Sequence, residues 1–326
     1  MKVLVTGANG FVGSILCGEL LSRGHDVSAA VRRSGSAPSG TKEIFVGDID
    51  ASTDWSHALE GQDAVIHLAA RVHVMTESAT DPLAEFRRIN TAGTGRLAAQ
   101  SKSSGIEKFI FLSSIKANGE ATDSKPFTVN DAPHPEDPYG VSKLEAEQAI
   151  EGIAEGAGTQ FSTIRTPLVY GPGAGGNFLR LLKIVDKRLP IPLAAVKNRR
   201  SMVSVWNLCD LIAHLLKSDQ PGSQLVLVSD KERLSTPELV RAIGRGLDKP
   251  ARLLWVPVFL LKLAGKAAGK KSEIDRLVGS LEVEVGSTAP DFTWSAPQSA
   301  IEGILATSRL WKQSSRHEPD LGRSHG

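Results

Sequence analysis

Several kinds of protein are excluded by what this 326-residue chain has little of. It holds two cysteines, Cys17 and Cys209, each inside an apolar helical pattern. Buried thiols are expected there, and neither a disulfide nor a metal site. Charge of either sign is not in excess. The 38 Lys and Arg against 36 Asp and Glu leave a net +2, too weak a field to imply nucleic acid as a partner. No internal repeat and no long low-complexity linker interrupts the chain. The longest apolar segment, Leu253 to Gly265, is broken by Pro257 and Lys262 and followed by Lys266, well short of the roughly 20 residues a membrane span needs. It reads as a core or interface helix starting near Pro257, and no span is predicted. The folding pattern begins at Lys2, so no signal peptide is expected, and the reduced thiols suit the cytoplasm.

What is present is an ordinary soluble composition, 41% apolar and 23% charged, with an informative start. Val3-Leu4-Val5 is a short apolar run, and glycines 7, 10 and 13 follow it before a helical pattern of Ile15, Leu16, Leu20 and Leu21. A strand, a glycine turn and a helix N-terminus in succession suit a pyrophosphate. Gly7 permits the tight turn, Gly10 lets backbone approach the phosphates, and Gly13 lets the helix pack close to the sheet. The helix start then offers free N–H groups and partial positive charge. The spacing is G-x-x-G-x-x-G rather than G-x-G-x-x-G.

Further apolar strands alternate with helical patterns at Asp26–Val31, Glu43–Ile49, Asp63–Ala70 and Lys108–Ser114. That alternation predicts an α/β fold with a Rossmann-type, doubly wound parallel sheet. The second strand ends at Val31 where an NAD-selective site would carry a carboxylate, and Arg32 and Arg33 follow. Arginine suits a 2′-phosphate, so NADP(H) is favoured and NAD(H) stays open; the alternative is a pair of solvated loop arginines. Asp48 stands where it would meet the adenine, and Ala69 and Ala70 leave room for a cofactor. His67, alone in a strand, reads as a packed core residue.

The chemistry-bearing constellation is Tyr139-x-x-x-Lys143 at a helix start, after a strand ending in Ser113-Ser114. Residues four apart share a helix face. A phenol with pKa near 10 exchanges protons poorly at neutral pH, and a fixed ammonium in a dry cleft would lower it. Ser114 would hold a substrate oxygen while Tyr139 moves its proton and a nicotinamide exchanges hydride with the same carbon.

Thr6-Gly7-Ala8-Asn9-Gly10-Phe11-Val12-Gly13, Gly47-Asp48-Ile49, His67-Leu68-Ala69-Ala70, Asn90-x-x-Gly93-Thr94, Ser113-Ser114, Tyr139-x-x-x-Lys143 and Arg165-x-Pro167-x-Val169-Tyr170-Gly171-Pro172 together resemble the extended short-chain dehydrogenase/reductase superfamily. The likeness is closest to its NAD-dependent epimerase/dehydratase family, and within that to bacterial UDP-sugar 4-epimerase-like proteins and 4-ketosugar reductases. It implies Ser114, Tyr139 and Lys143 as the catalytic triad, with Ser113 as an alternative to Ser114 and Asn90 as a structural and proton-relay member. It implies cofactor contacts at Gly7, Asn9, Gly10, Phe11, Val12, Gly13, Arg32, Arg33, Asp48, Ile49, Leu68, Ala69, Ala70, Asn90, Tyr139, Lys143 and Pro167. Asn177, Arg200 and Arg276 are implied for a nucleotide-diphosphate sugar, with UDP as the nucleotide. Asn118 stands where the family has a tyrosine.

The same likeness implies a Rossmann domain over 1–173 with 200–230 returning to it, and a smaller mixed α/β substrate domain over 174–199 and 231–311. A homodimer is implied by analogy, and 312–326 read as a disordered tail. Ile115 and Lys116 fill the places of a dehydratase's Asp-Glu pair, which argues against dehydration. The arginines after Val31 tilt the reading towards a ketosugar reductase in surface polysaccharide synthesis. A 4-epimerase with tightly held NAD is the alternative, and a non-catalytic NADP-binding module is a further one.

Overall fold

The computed structural model describes residues 1–72, 81–156, 158–219 and 222–317. The apolar opening forms β1 (Lys2–Thr6) and the pattern after the glycines forms α1 (Phe11–Ser22). Then come β2 (Asp26–Val31), β3 (Lys42–Phe45), the single turn α2 (Ser56–Leu59) and β4 (Ala64–His67). β3 stops short of the predicted Ile49 because Gly47, at φ +69°, turns the chain away. α3 (Pro82–Phe86), a π-helical stretch over Arg87–Gly93 and α4 (Thr94–Ser103) run on continuously to β5 (Lys108–Ser114). α5 (Pro138–Ala154) opens on Asp137, whose side chain accepts from the Gly140 amide at 2.7 Å, with Pro138 in the first turn. Such a cap with a proline behind it fixes where a helix begins.

The stretch that carries the Arg165 to Pro172 motif forms two strands. β6 (Gln160–Thr166) belongs to the main sheet, while β7 (Leu168–Tyr170) lies in a separate two-stranded sheet. Pro167, between them, has no N–H to continue a ladder. The remaining elements are α6 (Gly176–Asp186), β8 (Met202–Ser204), α7 (Val205–Lys217), β9 (Ser223–Leu227), α8 (Thr236–Gly246), α9 (Val258–Ala267), α10 (Lys271–Val278), β10 (Gly286–Ser287) and α11 (Ala300–His317). α8 starts at a full capping box between Ser235 and Glu238.

The main sheet runs in the order β3-β2-β1-β4-β5-β6-β9-β10, all parallel except the antiparallel edge β10. The winding reverses between β1 and β4, and a crevice opens at the carboxyl ends of such strands. One sheet face packs Val3, Val5 and Ile66 against Leu16 and Cys17 of α1 and Leu208, Cys209 and Ile212 of α7. The other face packs Leu4, Phe109 and Phe111 against Trp55, Leu97 and Ala146. Both cysteines are buried and free, and burial pushes each thiol up to about 12. A separate core joins Tyr170, Phe178, Leu182, Val240, Ile243 and Ile304 from β7, α6, α8 and α11.

Two boundaries and the burial of one helix differ from expectation. Residues 285–296 leave the second core and return to the first, where Trp294 Nε1 donates to Asp210 Oδ2 at 3.0 Å. The expected tail is helical as far as His317: Trp311 packs on the second core and Lys312 Nζ meets Asp248 at 2.6 Å, so the helix has something to hold. Residues 318–326 of that tail lie outside the described residues. Lastly, α9 begins beside Pro257 as read, but only Leu261 and Gly265 of it are buried. Of the core or interface helix expected there, the core form is not found, since most of its apolar side chains are exposed.

Candidate active site

Gly7 has φ +67°, and a Cβ there would stand 2.8 Å from the Ala69 amide nitrogen. At Gly13 a Cβ would run into the Gly7 carbonyl and lie 2.7 Å from Ala8 Cα. Backbone therefore fills the space around the loop, and only glycine fits. α1 starts at Gly10 with no side-chain cap, and the amides of Phe11, Val12 and Gly13 have no acceptor among the described residues. Uncapped amides at a helix start, beside a cradle that any side chain would obstruct, fit a dinucleotide pyrophosphate.

One cleft of about 940 Å³ begins at this loop. Gly7, Asn9, Gly10, Phe11, Val12 and Gly13 line it, with Arg32, Asp48, Ile49, Leu68, Ala69, Ala70 and Pro167. Arg32 faces Asp48 at 3.9 Å, both exposed. Arg33 is exposed and is not part of the lining; its carbonyl holds the Ser36 hydroxyl at 2.6 Å. The structure thus separates the two arginines that the sequence grouped.

Ser113, Ser114 and Tyr139 line the middle of the same cleft. β5 carries the serines out to its carboxyl end, and the first turn of α5 brings Tyr139 to them. Ser114 lowers the Tyr139 phenol, against the other influences on it, and its hydroxyl accepts from the Lys116 amide at 3.3 Å. Ser113 instead donates to the Glu147 carboxylate, which also grips Arg165, with Nη2 to Oε2 at 2.6 Å. Ser113 is thus engaged by Glu147, away from Tyr139, which favours Ser114 as the serine that works with the tyrosine. Lys143 is buried one turn below Tyr139, its Nζ 4.0 Å from the centre of the Phe111 ring.

The expected electrostatics are not found in the chain alone. Burial, then the Asp137 carboxylate, push Tyr139 up to about 12, opposed by Ser114. Burial brings Lys143 down to about 7, with Glu147 opposing. The predicted lowering of the phenol by the ammonium is thus corrected, since desolvation outweighs attraction where both groups are buried. His67 is the core residue the sequence suggests. It lies between Thr6 Oγ1 at 2.7 Å and Thr94 Oγ1 at 2.9 Å, and burial brings it down to about 3.

Asn90 stands behind the cleft rather than in its lining. Its amide takes the Arg71 amide at 2.8 Å and gives to the Arg71 carbonyl and Ser142 Oγ, both at 3.0 Å. It ties the π-helical stretch to α5 beside Lys143, a structural role. Asn118 is likewise turned away, its Oδ1 taking Arg165 Nη1 at 2.9 Å.

At the far end Asn177, Arg200 and Arg276 line the cleft. Arg200 Nη1 donates to the Arg276 carbonyl at 2.7 Å and the Gly279 carbonyl at 3.2 Å, closing the end of α10. Burial, then the neighbouring Arg276, lower its pKa, while Glu120 opposes this. Arg276 Nε is 3.5 Å from Glu120 Oε2, and Glu120 also takes Lys116 Nζ at 2.6 Å. Sequence reasoning missed Glu120, and it also missed Arg71 and Arg88 in the lining; Lys116, which it noted only as filling a dehydratase's acidic position, lines the cleft as well. Nothing in local spacing marks them, because they meet the cleft from separate loops and helices.

A sheet wound this way, with this cradle and a Ser–Tyr pair at its carboxyl edge, defines a dinucleotide-dependent enzyme of the short-chain dehydrogenase type. The profile of the NAD dependent epimerase/dehydratase family matches residues 3–227, and the chain belongs to that family. It is 42% identical over 317 residues to a UDP-glucose 4-epimerase of Vibrio cholerae, covering 96% of each chain. It is 29% identical to an N-acetyl-alpha-D-glucosaminyl-diphospho-ditrans,octacis-undecaprenol 4-epimerase of Escherichia coli O157:H7, over 83% of this chain and 82% of that one. Among solved structures, MoeE5 in complex with UDP-glucose and NAD matches with a TM-score of 0.76 and 25% identity, over 97% of this chain and 100% of that one. The family is NAD-dependent, and the residues of the cradle fit that cofactor.

Proposed function

We propose that the protein is a UDP-hexose 4-epimerase that retains NAD. The reading rests on one observation, that a single cleft joins the glycine cradle, the Ser114–Tyr139 pair and the two-arginine end. It replaces the ketosugar reductase to which the sequence tilts. The full-length relative at 42% identity is an epimerase, and the argument for NADP(H) loses force when Arg33 lies outside the cleft and Arg32 faces a carboxylate.

In this reading Arg200 and Arg276 hold the diphosphate by charge-assisted hydrogen bonds, and Asn177 contacts the sugar or diphosphate. The sugar C4 hydroxyl then lies against Ser114 and Tyr139. Ser114 steadies that oxygen and Tyr139 takes its proton on oxidation and returns it on reduction. Lys143, buried beneath the phenol, would hold the nicotinamide ribose, and any positive charge it carries there would favour the phenolate. NAD, when bound, supplies reversible hydride acceptance at C4 and a positive charge beside the phenol. Intact Ser114, Tyr139 and Lys143 argue against a non-catalytic module.

The test is to denature freshly purified protein and identify the nicotinamide it releases. Near-stoichiometric NAD is expected. An empty protein that binds NADPH more tightly than NADH would return the reading to the reductase.

A further inference from the structure

Away from the cleft, the largest concentration of exposed apolar side chains is on α9 and the segment leading into it. Trp255 is 72% exposed, Phe259 67% and Leu263 63%, with Leu254 and Leu260 also exposed. At 3.6 residues per turn, Phe259, Leu263 and Ala267 form one row, and Lys262 and Lys266 stand beside it. Leu261 and Gly265 face the opposite way and are buried.

The charge here has one sign. Between Lys249, which pairs with Asp186 at 2.5 Å, and Glu273 the chain has no acidic residue, and it carries Arg252, Lys262, Lys266, Lys270 and Lys271, all exposed. The four lysines make no ion pair among the described residues. The acids at the margins are engaged elsewhere: Glu273 holds Arg180 at 3.0 Å and Asp248 holds Lys312 at 2.6 Å. Asp275 is the remaining carboxylate on α10.

We propose that this face of α9 docks on an anionic phospholipid bilayer. Exposed Phe and Leu on one helix row, with an exposed Trp on the segment leading into it and lysines at the edge, are the components of a helix that lies in the headgroup plane. The described residues include no helix long and apolar enough to cross a membrane, so the attachment is peripheral. Two copies meeting α9 to α9 would bring four lysines together, Lys262 and Lys266 from each, with no acid on either helix, which disfavours self-association through this face. Docking also has a geometric consequence. α10 packs on α9, with Ile274 Cγ1 so close that a Cβ on Gly265 would stand 2.6 Å from it. α10 carries Arg276, so the sugar end of the cleft lies one helix away from the lipid.

The test is sedimentation of the full chain with vesicles of phosphatidylcholine alone or mixed equally with phosphatidylglycerol. The chain should sediment with the mixed vesicles and stay in solution with the neutral ones. The triple variant Trp255→Ser, Phe259→Ser, Leu263→Ser should bind roughly tenfold or more weakly, as should Lys262→Glu, Lys266→Glu. Both should keep the turnover of soluble substrate, because neither touches the cleft. Failure of the parent chain to bind mixed vesicles, or equal binding by both variants, would overturn the proposal. So would a parent dimer that the triple variant turns into monomer without any vesicle binding by the parent, since a second copy would then cover the face. The readout is independent of which sugar the cleft takes.

Discussion

The two ends of the cleft are built differently. At the cofactor end, Gly7, Gly10 and Gly13 come from one turn, and Ser114 and Tyr139 from a strand end and the helix start packed against it. At the sugar end, Asn177, Arg200 and Arg276 come from α6, the approach to β8 and α10. Arg200 and Arg276 are joined through an arginine–carbonyl bond across 76 residues. The first end is fixed by backbone geometry, so its substitutions break chemistry or folding. The second is held by side chains, so in the proposed reading its substitutions should weaken binding.

The widest separation of the two ends is expected from Tyr139→Phe. Turnover should fall by about 10²- to 10⁴-fold while KM for the nucleotide sugar and bound NAD stay unchanged. Steady-state kinetics with cofactor analysis checks this, and a raised KM with normal turnover would put Tyr139 among the binding groups. Next, Arg276→Ala should raise KM by roughly 10- to 100-fold, as for a lost charge-assisted hydrogen bond, with bound NAD unchanged. Loss of NAD in that variant would erase the distinction drawn here.

Gly13→Ala should cost about 1–3 kcal/mol of stability by forcing backbone apart, read by denaturant unfolding, and should reduce retained NAD. Lys143 gives a pH signature. Its folded pKa of about 7 lies below its ordinary 10.5. Between those values the unfolded chain holds a proton that the folded one lacks, so stability rises with pH across that window and is lost as pH falls towards 7. Lys143→Met should flatten that rise in cofactor-free protein and stabilise it at neutral pH by roughly 1–3 kcal/mol, as thermal unfolding across the window would record. The smallest effect belongs to Arg33→Ala. Exposed and outside the cleft, it should change NAD and NADP affinity less than about twofold in a binding titration. A larger loss of NADP affinity would restore the reading the sequence favours.

The same contrast explains what was legible in the sequence. Strand ends and glycine turns are local, so β1, β2, β5 and the start of α5 are readable from residue order alone. Ser114 and Tyr139 are legible for the same reason. The direction of the Tyr139 and Lys143 shifts is not, because it depends on how dry the site is, which no spacing records. Glu120 escapes notice because its meaning comes from Arg276, far along the chain. Arg32 and Arg33 look equivalent as neighbours, and only the turn held by Ser36 separates them. The expected tail fails similarly: helix as far as His317 follows from Trp311 reaching the second core and Lys312 reaching Asp248, contacts with no periodic signature.

The central claim is that one cleft oxidises and re-reduces the same sugar carbon without consuming cofactor. Its most direct test is to incubate purified protein, with nothing added, with UDP-glucose and separately with UDP-N-acetylglucosamine, and to follow the 4-epimers by chromatography. The account predicts conversion of at least one to an equilibrium mixture, abolished in Tyr139→Phe. No conversion of either, together with oxidation of added NADPH by a UDP-4-keto sugar, would contradict it.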